Sequence, residues 1–224
     1  MKNRLITTGF LFSSLLCSAL ETPNGSHVPD SLVYVLEEWV PSQIASNTDF
    51  HTSTYLNAEL IADASNLYNC HSYAWNITEE GKIDVDICWL ENPSIYWEDS
   101  SYVETTEVKA EKIYYYLGDH SAVVSKTHPG KYESKWGPGP LMRHDPEYGP
   151  YNNMQYRRYY RRYRGTTYIV NQTINQNTTT GNGCDVYIQN VTVQGYSKLT
   201  VDSGGETTIN GPFEMTSGSQ LEIK

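Results

Sequence analysis

The chain has 224 residues, 38% hydrophobic and 19% charged, with a mean hydropathy of −0.55. That is too polar for a polytopic membrane protein and too apolar and aromatic for a disordered chain. A net charge of −10, from 26 acids and 16 bases, argues against the positive field that sequence-independent nucleic-acid binding needs, so no nucleic acid is expected as a partner.

Residues 1–19 read as a secretory signal peptide. Lys2 and Arg4 form the charged start, Leu5 to Leu16 an apolar stretch too short to span a bilayer, and Cys17-Ser18-Ala19 a small-residue cleavage site. The protein is therefore expected to be exported: secreted, periplasmic or on the cell surface. Lipid anchoring at Cys17 is disfavoured, because Leu16 stands where a lipoprotein signal needs a small residue. Cys70, Cys88 and Cys184 remain after cleavage, an odd number that leaves at least one thiol free or paired to another chain.

Ser31 to Leu36 is β-branched and apolar and predicts a strand. Ser53 to Ala64 predicts a helix, with Leu56, Leu60, Ile61 and Ala64 at helical spacing. Asn69 to Thr78 predicts a short helix, capped by Asn69 and stopped by Gly81. Residues 91–107 read as an aromatic loop around Trp97 and Tyr102. Lys112 to Leu117, Ser121 to Lys126 and Tyr132 to Trp136 predict three strands, the last two separated by the turn His128-Pro129-Gly130.

Charge is uneven. Residues 20–119 carry 18 acids and 3 bases, whereas residues 120–170 carry 9 bases and 3 acids. Residues 151–164 hold five tyrosines and five arginines. This run reads as an amphipathic linker docked on the acidic first half, with a patch for anionic polymer as the weaker alternative. From residue 166 the composition turns to Thr, Gly, Asn and Val. Two similar segments place Leu199 and Leu221 22 residues apart, which predicts short strands stacked in a solenoid-like β module.

The most informative segment is Asn69-Cys70-His71-Ser72-Tyr73-Ala74-Trp75. With Asn69 as cap, Cys70 falls in the first helical turn, where unpaired N–H groups and the positive helix end stabilise a thiolate. A thiolate nucleophile also needs an imidazole and an oxyanion donor. The imidazole candidates are His51, His71, His120, His128 and His144, and His120 stands at a strand start in Gly118-Asp119-His120-Ser121-Ala122-Val123-Val124.

Asn-Cys-x-x-Tyr-Ala followed by Gly-Asp-His-x-Ala-Val-Val resembles the CHAP amidases and the wider papain-like cysteine hydrolase superfamily, over about residues 60–145. The resemblance implies a nucleophile at Cys70 and a general base at His120. Asn69 would contribute to the oxyanion hole, and a third polar residue would orient the histidine. Glu133 and Ser134 both qualify for that third role and face opposite sides of a strand; the sequence departs here from the usual acidic-x-Asn pattern. The stretch Ser134 to His144 also resembles an uncharacterised branch of bacterial exported proteins with a β-rich tail, in which His144 is a further candidate.

The expected fold is thus α+β: a papain-like core of short helices on an antiparallel sheet over residues 20–164, then a small all-β module over 165–224. The expected activity is cysteine-dependent cleavage of an amide bond in peptidoglycan peptide or another peptide, with no metal or organic cofactor. The C-terminal module would attach the domain to the cell surface or to secretion machinery. The alternative is a non-catalytic surface adhesion protein that holds glycan or peptide on Trp97, Tyr102 and the Tyr/Arg run.

Overall fold

A computed structural model describes residues 20–79, 87–151 and 156–224. The expected signal peptide, with Cys17, and the helix stop at Gly81 lie outside the described residues. A 3-10 turn at Asp30–Leu32 leads into β1 (Val33–Tyr34), then α1 (Pro41–Thr54) and β2 (Glu59–Ala62). The short helix α2 (Cys70–Ser72) continues as a π turn over Tyr73–Ile77. Next come β3 (Trp89–Leu90), α3 (Ile95–Glu98), β4 (Tyr102–Thr105), β5 (Lys112–Tyr115), β6 (His120–Val124), β7 (Tyr132–Lys135), β8 (Leu141–His144) and β9 (Arg157–Arg162).

Seven of these strands form one antiparallel sheet in the order β2-β8-β7-β6-β5-β9-β4. Paired residues share a face, so Val123, Glu133 and Arg143 project to one side, and Val124, Tyr132 and His144 to the other. The α2 turn lies against the Glu133 side: Tyr73 donates its hydroxyl to Glu133 (3.2 Å), and Trp75 Nε1 donates to Ser121 Oγ (2.9 Å). Trp75 is fully buried and centres the core, its ring within 5.2–5.7 Å of Trp97, Tyr102, Tyr160 and Tyr96.

The expected helix over 53–64 is not formed. The helix lies upstream, where Pro41 supplies a pre-set φ at its first turn and Gln43 Oε1 accepts from the Val40 N–H. It stops at Thr54; Leu56 is 79% exposed, and Glu59–Ala62 pairs with β8 instead. The aromatic segment 91–107 is not an open loop either. It contains α3 and β4, and Tyr102 is 2% exposed, so its rings serve the core rather than a binding surface. The Tyr/Arg run is β9, held between β5 and β4 rather than a linker. Its arginines do meet acids, Arg157 with Glu147 and Arg161 with Asp185 (2.8 Å).

Beyond β9 lie β10 (Thr166–Ile174), β11 (Thr178–Thr180), β12 (Asp185–Val193), β13 (Lys198–Val201), β14 (Thr207–Ile209), β15 (Phe213–Met215) and β16 (Gln220–Ile223). All pair in parallel: β10, β12 and β14 with β15 in one sheet, β11-β13-β16 in another. Leu199 sits opposite Leu221, so the repeated leucines are neighbours in adjacent strands. Asn171 and Asn190 take the left-handed conformation (φ 54° and 52°) where the β10–β12 pairing skips one residue in each strand, and Asn190 Nδ2 donates to Asn171 Oδ1 (2.7 Å).

These findings correct the expected fold class. The described chain is mostly β, with several sheets and only three α-helices, two of them three and four residues long. It does not show the α+β papain-like core, and its tail strands form open parallel sheets rather than a closed solenoid. The physical reason is that cross-strand pairing overrides the local pattern: Glu59–Ala62 pairs with β8, and Tyr102–Thr105 pairs with Arg157–Arg162, which also pairs with β5.

Candidate active site

Asn69 caps α2: its Oδ1 accepts from the Ser72 N–H (3.0 Å), with its own backbone extended. The same side chain also bridges to β3, with Nδ2 donating to Leu90 O (2.7 Å) and Oδ1 accepting from Leu90 N (3.2 Å). Asn69 is therefore a tether that fixes the helix start, with at least one amide hydrogen committed away from any oxyanion. The backbone N–H groups of Cys70 and His71, in the first turn, are the better-placed oxyanion donors. A π turn immediately follows, a distortion that recurs at functional sites.

Cys70 is 5% exposed. Burial alone would raise its thiol pKa, but the charges of His71 and His120 outweigh it and hold the thiol well below its ordinary range. His71 comes from α2 itself, and the β5–β6 hairpin delivers His120 with Asp119 just before it. Its turn ends at Asp119, in the left-handed conformation at φ 48°, directly before His120.

The two imidazoles differ in how they are held. His71 is engaged on both nitrogens, Nδ1 with Ser121 Oγ (2.8 Å) and Nε2 with Asp119 Oδ1 (3.1 Å). Burial disfavours its imidazolium, but the charges of Cys70 and Asp119 overcome this and raise its pKa. The hydrogen bond from His71 in turn holds the Asp119 carboxyl below its usual range. His120 is 1% exposed, and neither of its ring nitrogens has a hydrogen-bond partner. Its ring is fixed by stacking on Tyr151, with centroids 3.6 Å apart and planes 8° from parallel, and by the tilted ring of Tyr115, 5.3 Å away.

Ser134 and Glu133 do face opposite sides, and neither reaches His120. Ser134 is fully buried in a relay: Trp136 Nε1 donates to Ser134 Oγ (3.0 Å), which bonds His144 Nε2 (2.8 Å). His144 Nδ1 faces Asp145 O (2.8 Å), so Nδ1 carries the hydrogen and Nε2 accepts. Desolvation, with the nearby His120 charge, lowers His144 to about 4, so this ring is neutral. Glu133 belongs to the other side of the sheet. It accepts from Arg143 Nε (3.0 Å), Ser125 Oγ (2.7 Å) and Tyr73. Burial opposes its charge, but these hydrogen bonds win and keep it ionised.

Sequence reasoning passed over His71 and Asp119 as a pair, and Lys135 altogether. Lys135 is fully buried beside the site, with Nζ donating to Ser65 O and Gly137 O (2.9 Å each) and to Gly139 O, and lying 4.9 Å from the Tyr68 ring. Burial brings its pKa down to about 7, although the Cys70 and Glu38 charges oppose this. Only the adjacency of Asp119 to His120 and of His71 to Cys70 was available as a signal. Among the described residues, no group of three or more His, Cys, Asp or Glu converges as a metal site. No helix among them is long and apolar enough to cross a membrane.

No family model, curated protein or solved structure matches the chain. The functional reading therefore rests on the chemistry of the site.

Proposed function

We propose that the protein is an exported cysteine hydrolase that cleaves an amide bond in peptide, with peptidoglycan peptides the first substrates to examine. The observation that carries this reading is the pair of unlike imidazoles around one activated thiol. His71 is committed on both nitrogens and supplies fixed positive charge. His120 has both nitrogens unengaged and is the group able to move a proton.

In this mechanism Cys70 Sγ attacks the amide carbon as thiolate. The first-turn N–H groups of α2 receive the developing oxyanion. His120 gives its proton to the leaving nitrogen as the C–N bond breaks, which leaves a thioester on Cys70. His120 then takes a proton from water as that water attacks the thioester, releasing the acid and restoring the thiolate. Asp119 acts through His71, and Tyr151 acts by holding the His120 ring plane; both are positioning residues.

Digestion of cell-wall fragments and of a peptide library, read by mass spectrometry, tests the proposal. Wild type should release new termini that Cys70→Ala and His120→Ala do not. If wild type cleaves no amide while retaining ligand binding that Cys70→Ala shares, the adhesion reading replaces this one.

A further inference from the structure

Lys135, on β7, is a fully buried cation that the proposed mechanism does not use. Its three ammonium hydrogens go to three backbone carbonyls: Ser65 O and Gly137 O at 2.9 Å each, and Gly139 O. Among the described residues no carboxylate is bonded to it, and the anionic charges that reach it are those of Cys70 and Glu38. Glu38 is exposed and already accepts from Ser65 Oγ (2.5 Å) and the Asn66 N–H (2.8 Å). A buried ammonium without a counter-charge is costly, and the buried anion on offer is the Cys70 thiolate.

The three carbonyls belong to two separate segments. Ser65 opens the stretch that runs through Tyr68, whose ring is 4.9 Å from Lys135 Nζ, into the Asn69 cap and Cys70. Gly137 and Gly139 belong to the turn over 136–140, closed by Gly139 N–H to Trp136 O (2.9 Å) and Trp136 N–H to Pro140 O (3.1 Å). Ser65 N–H also donates to Pro138 O (3.1 Å), so the stretch and the turn are joined a second time. Gly137 sits at φ 61° against Tyr151: a Cβ built on it would lie 3.7 Å from the Tyr151 hydroxyl. Tyr151 is the ring stacked on His120. One ammonium therefore connects the segment that presents the thiol to the turn that backs the ring holding the base.

We propose that Lys135 is a positioning residue of the hydrolytic site: its ammonium fixes the spacing between Cys70 and His120 through these carbonyls and lends the thiolate a third cation. The low dielectric of the interior strengthens both roles, since no water competes for the ammonium. Burial holds Lys135 at about 7, so the cation is present below neutral pH and is lost as pH rises through that value. The catalytic part of this inference rests on the hydrolase reading; the coupling of Lys135 to Cys70 does not.

The test reads that coupling from both ends in the full chain. Lys135→Met, of similar length and uncharged, should move the pH profile of Cys70 alkylation by iodoacetamide upward, measured from about pH 8 to about pH 4. On a peptide that wild type cleaves, it should lower kcat/KM by about 10- to 100-fold, the order that a misplaced catalytic group costs. From the other end, the Lys135 13Cε resonance should titrate near 7 in wild type and at lower pH in Cys70→Ala, because the thiolate that favours the ammonium is gone. Should Lys135→Met fail to fold, by far-ultraviolet circular dichroism, the Cys70→Ala titration decides alone. The proposal is overturned if Cys70→Ala leaves the Lys135 titration unmoved. It is equally overturned if Lys135→Met leaves the Cys70 profile unmoved, even with activity lost, since Lys135 is then a structural staple only. If wild type cleaves no amide, the hydrolase reading fails by itself while the profile and the titration still decide the coupling.

Discussion

The two parts of the chain bury different chemistry. From β10 onward the interior is aliphatic, built from Ile169, Ile188, Val193, Leu199, Val201 and their neighbours, and Ser197 is the one buried polar residue described there. The seven-stranded sheet instead buries His71, His120, Ser134, Lys135 and His144. Burying such groups costs several kcal/mol each unless they are hydrogen-bonded, so a region that keeps them has a use for them. All but His120 are bonded to protein atoms. The tail is built to stack; the sheet is built to hold one unsatisfied imidazole beside one thiol.

The largest effects should come from that pair. Cys70→Ala and His120→Ala should each lower kcat/KM by at least about 10³-fold, and the double variant should be no worse than either, because the two act as one unit. Independent, multiplying losses in a kinetic cycle would show that they do not. Leu199→Ala makes the opposite cut, in the tail. It should cost about 2–5 kcal/mol of local stability through the cavity it opens, with kcat/KM unchanged. All five tryptophans precede residue 166, so fluorescence reports the sheet. Its denaturation midpoint should hold while the far-ultraviolet β signal moves; a shared shift would join the two parts into one cooperative unit.

The sequence made this contrast partly legible. Asn69 before Cys70 is a cap whatever surrounds it, and the alternation from Lys112 to Val124 sets the hairpin that carries His120. The leucine spacing places Leu199 against Leu221. The rest depended on tertiary context. Leu56, Leu60, Ile61 and Ala64 share a helical face only if helical, and pairing with β8 overrode that pattern. Arginine in β9 masked a strand, because Tyr115, Tyr116 and Tyr102 cover the guanidinium groups of Arg157, Arg158 and Arg162. Nothing in the sequence marks Lys135 as buried. Its burial depends on three carbonyls, at Ser65, Gly137 and Gly139, that chain order alone does not bring together.

A smaller effect separates the two parts by pH. His144 falls from 6.5 to about 4 on folding, so the folded state binds fewer protons. Its contribution is complete above the unfolded value and is lost as pH drops toward 4, a decline of about 3 kcal/mol at most. His144→Gln keeps an acceptor for Ser134 and a donor for Asp145 O. It should flatten the sheet's stability between these two pH values, read by urea unfolding on tryptophan fluorescence, and an unchanged slope would place the acid sensitivity elsewhere. Smaller still, Asp119→Asn should raise the Cys70 pKa and lower activity near neutral pH, since it removes the anion that holds His71 charged. Activity equal to wild type would leave His71 without an electrostatic role.

The central claim is that Cys70 is a thiolate held by two imidazoles, and its alkylation rate against pH tests that most directly. Iodoacetamide labelling, resolved by peptide mass spectrometry, compares Cys70 in the native chain with the same cysteine in the urea-unfolded chain. An ordinary thiol of pKa about 8.5 slows roughly tenfold for each pH unit below that value. Native Cys70 should slow far less than the unfolded thiol between about pH 8 and pH 6, and His120→Ala should shift the native profile upward. A native Cys70 rate that falls in step with the unfolded thiol, and that His120→Ala leaves unmoved, would contradict the account.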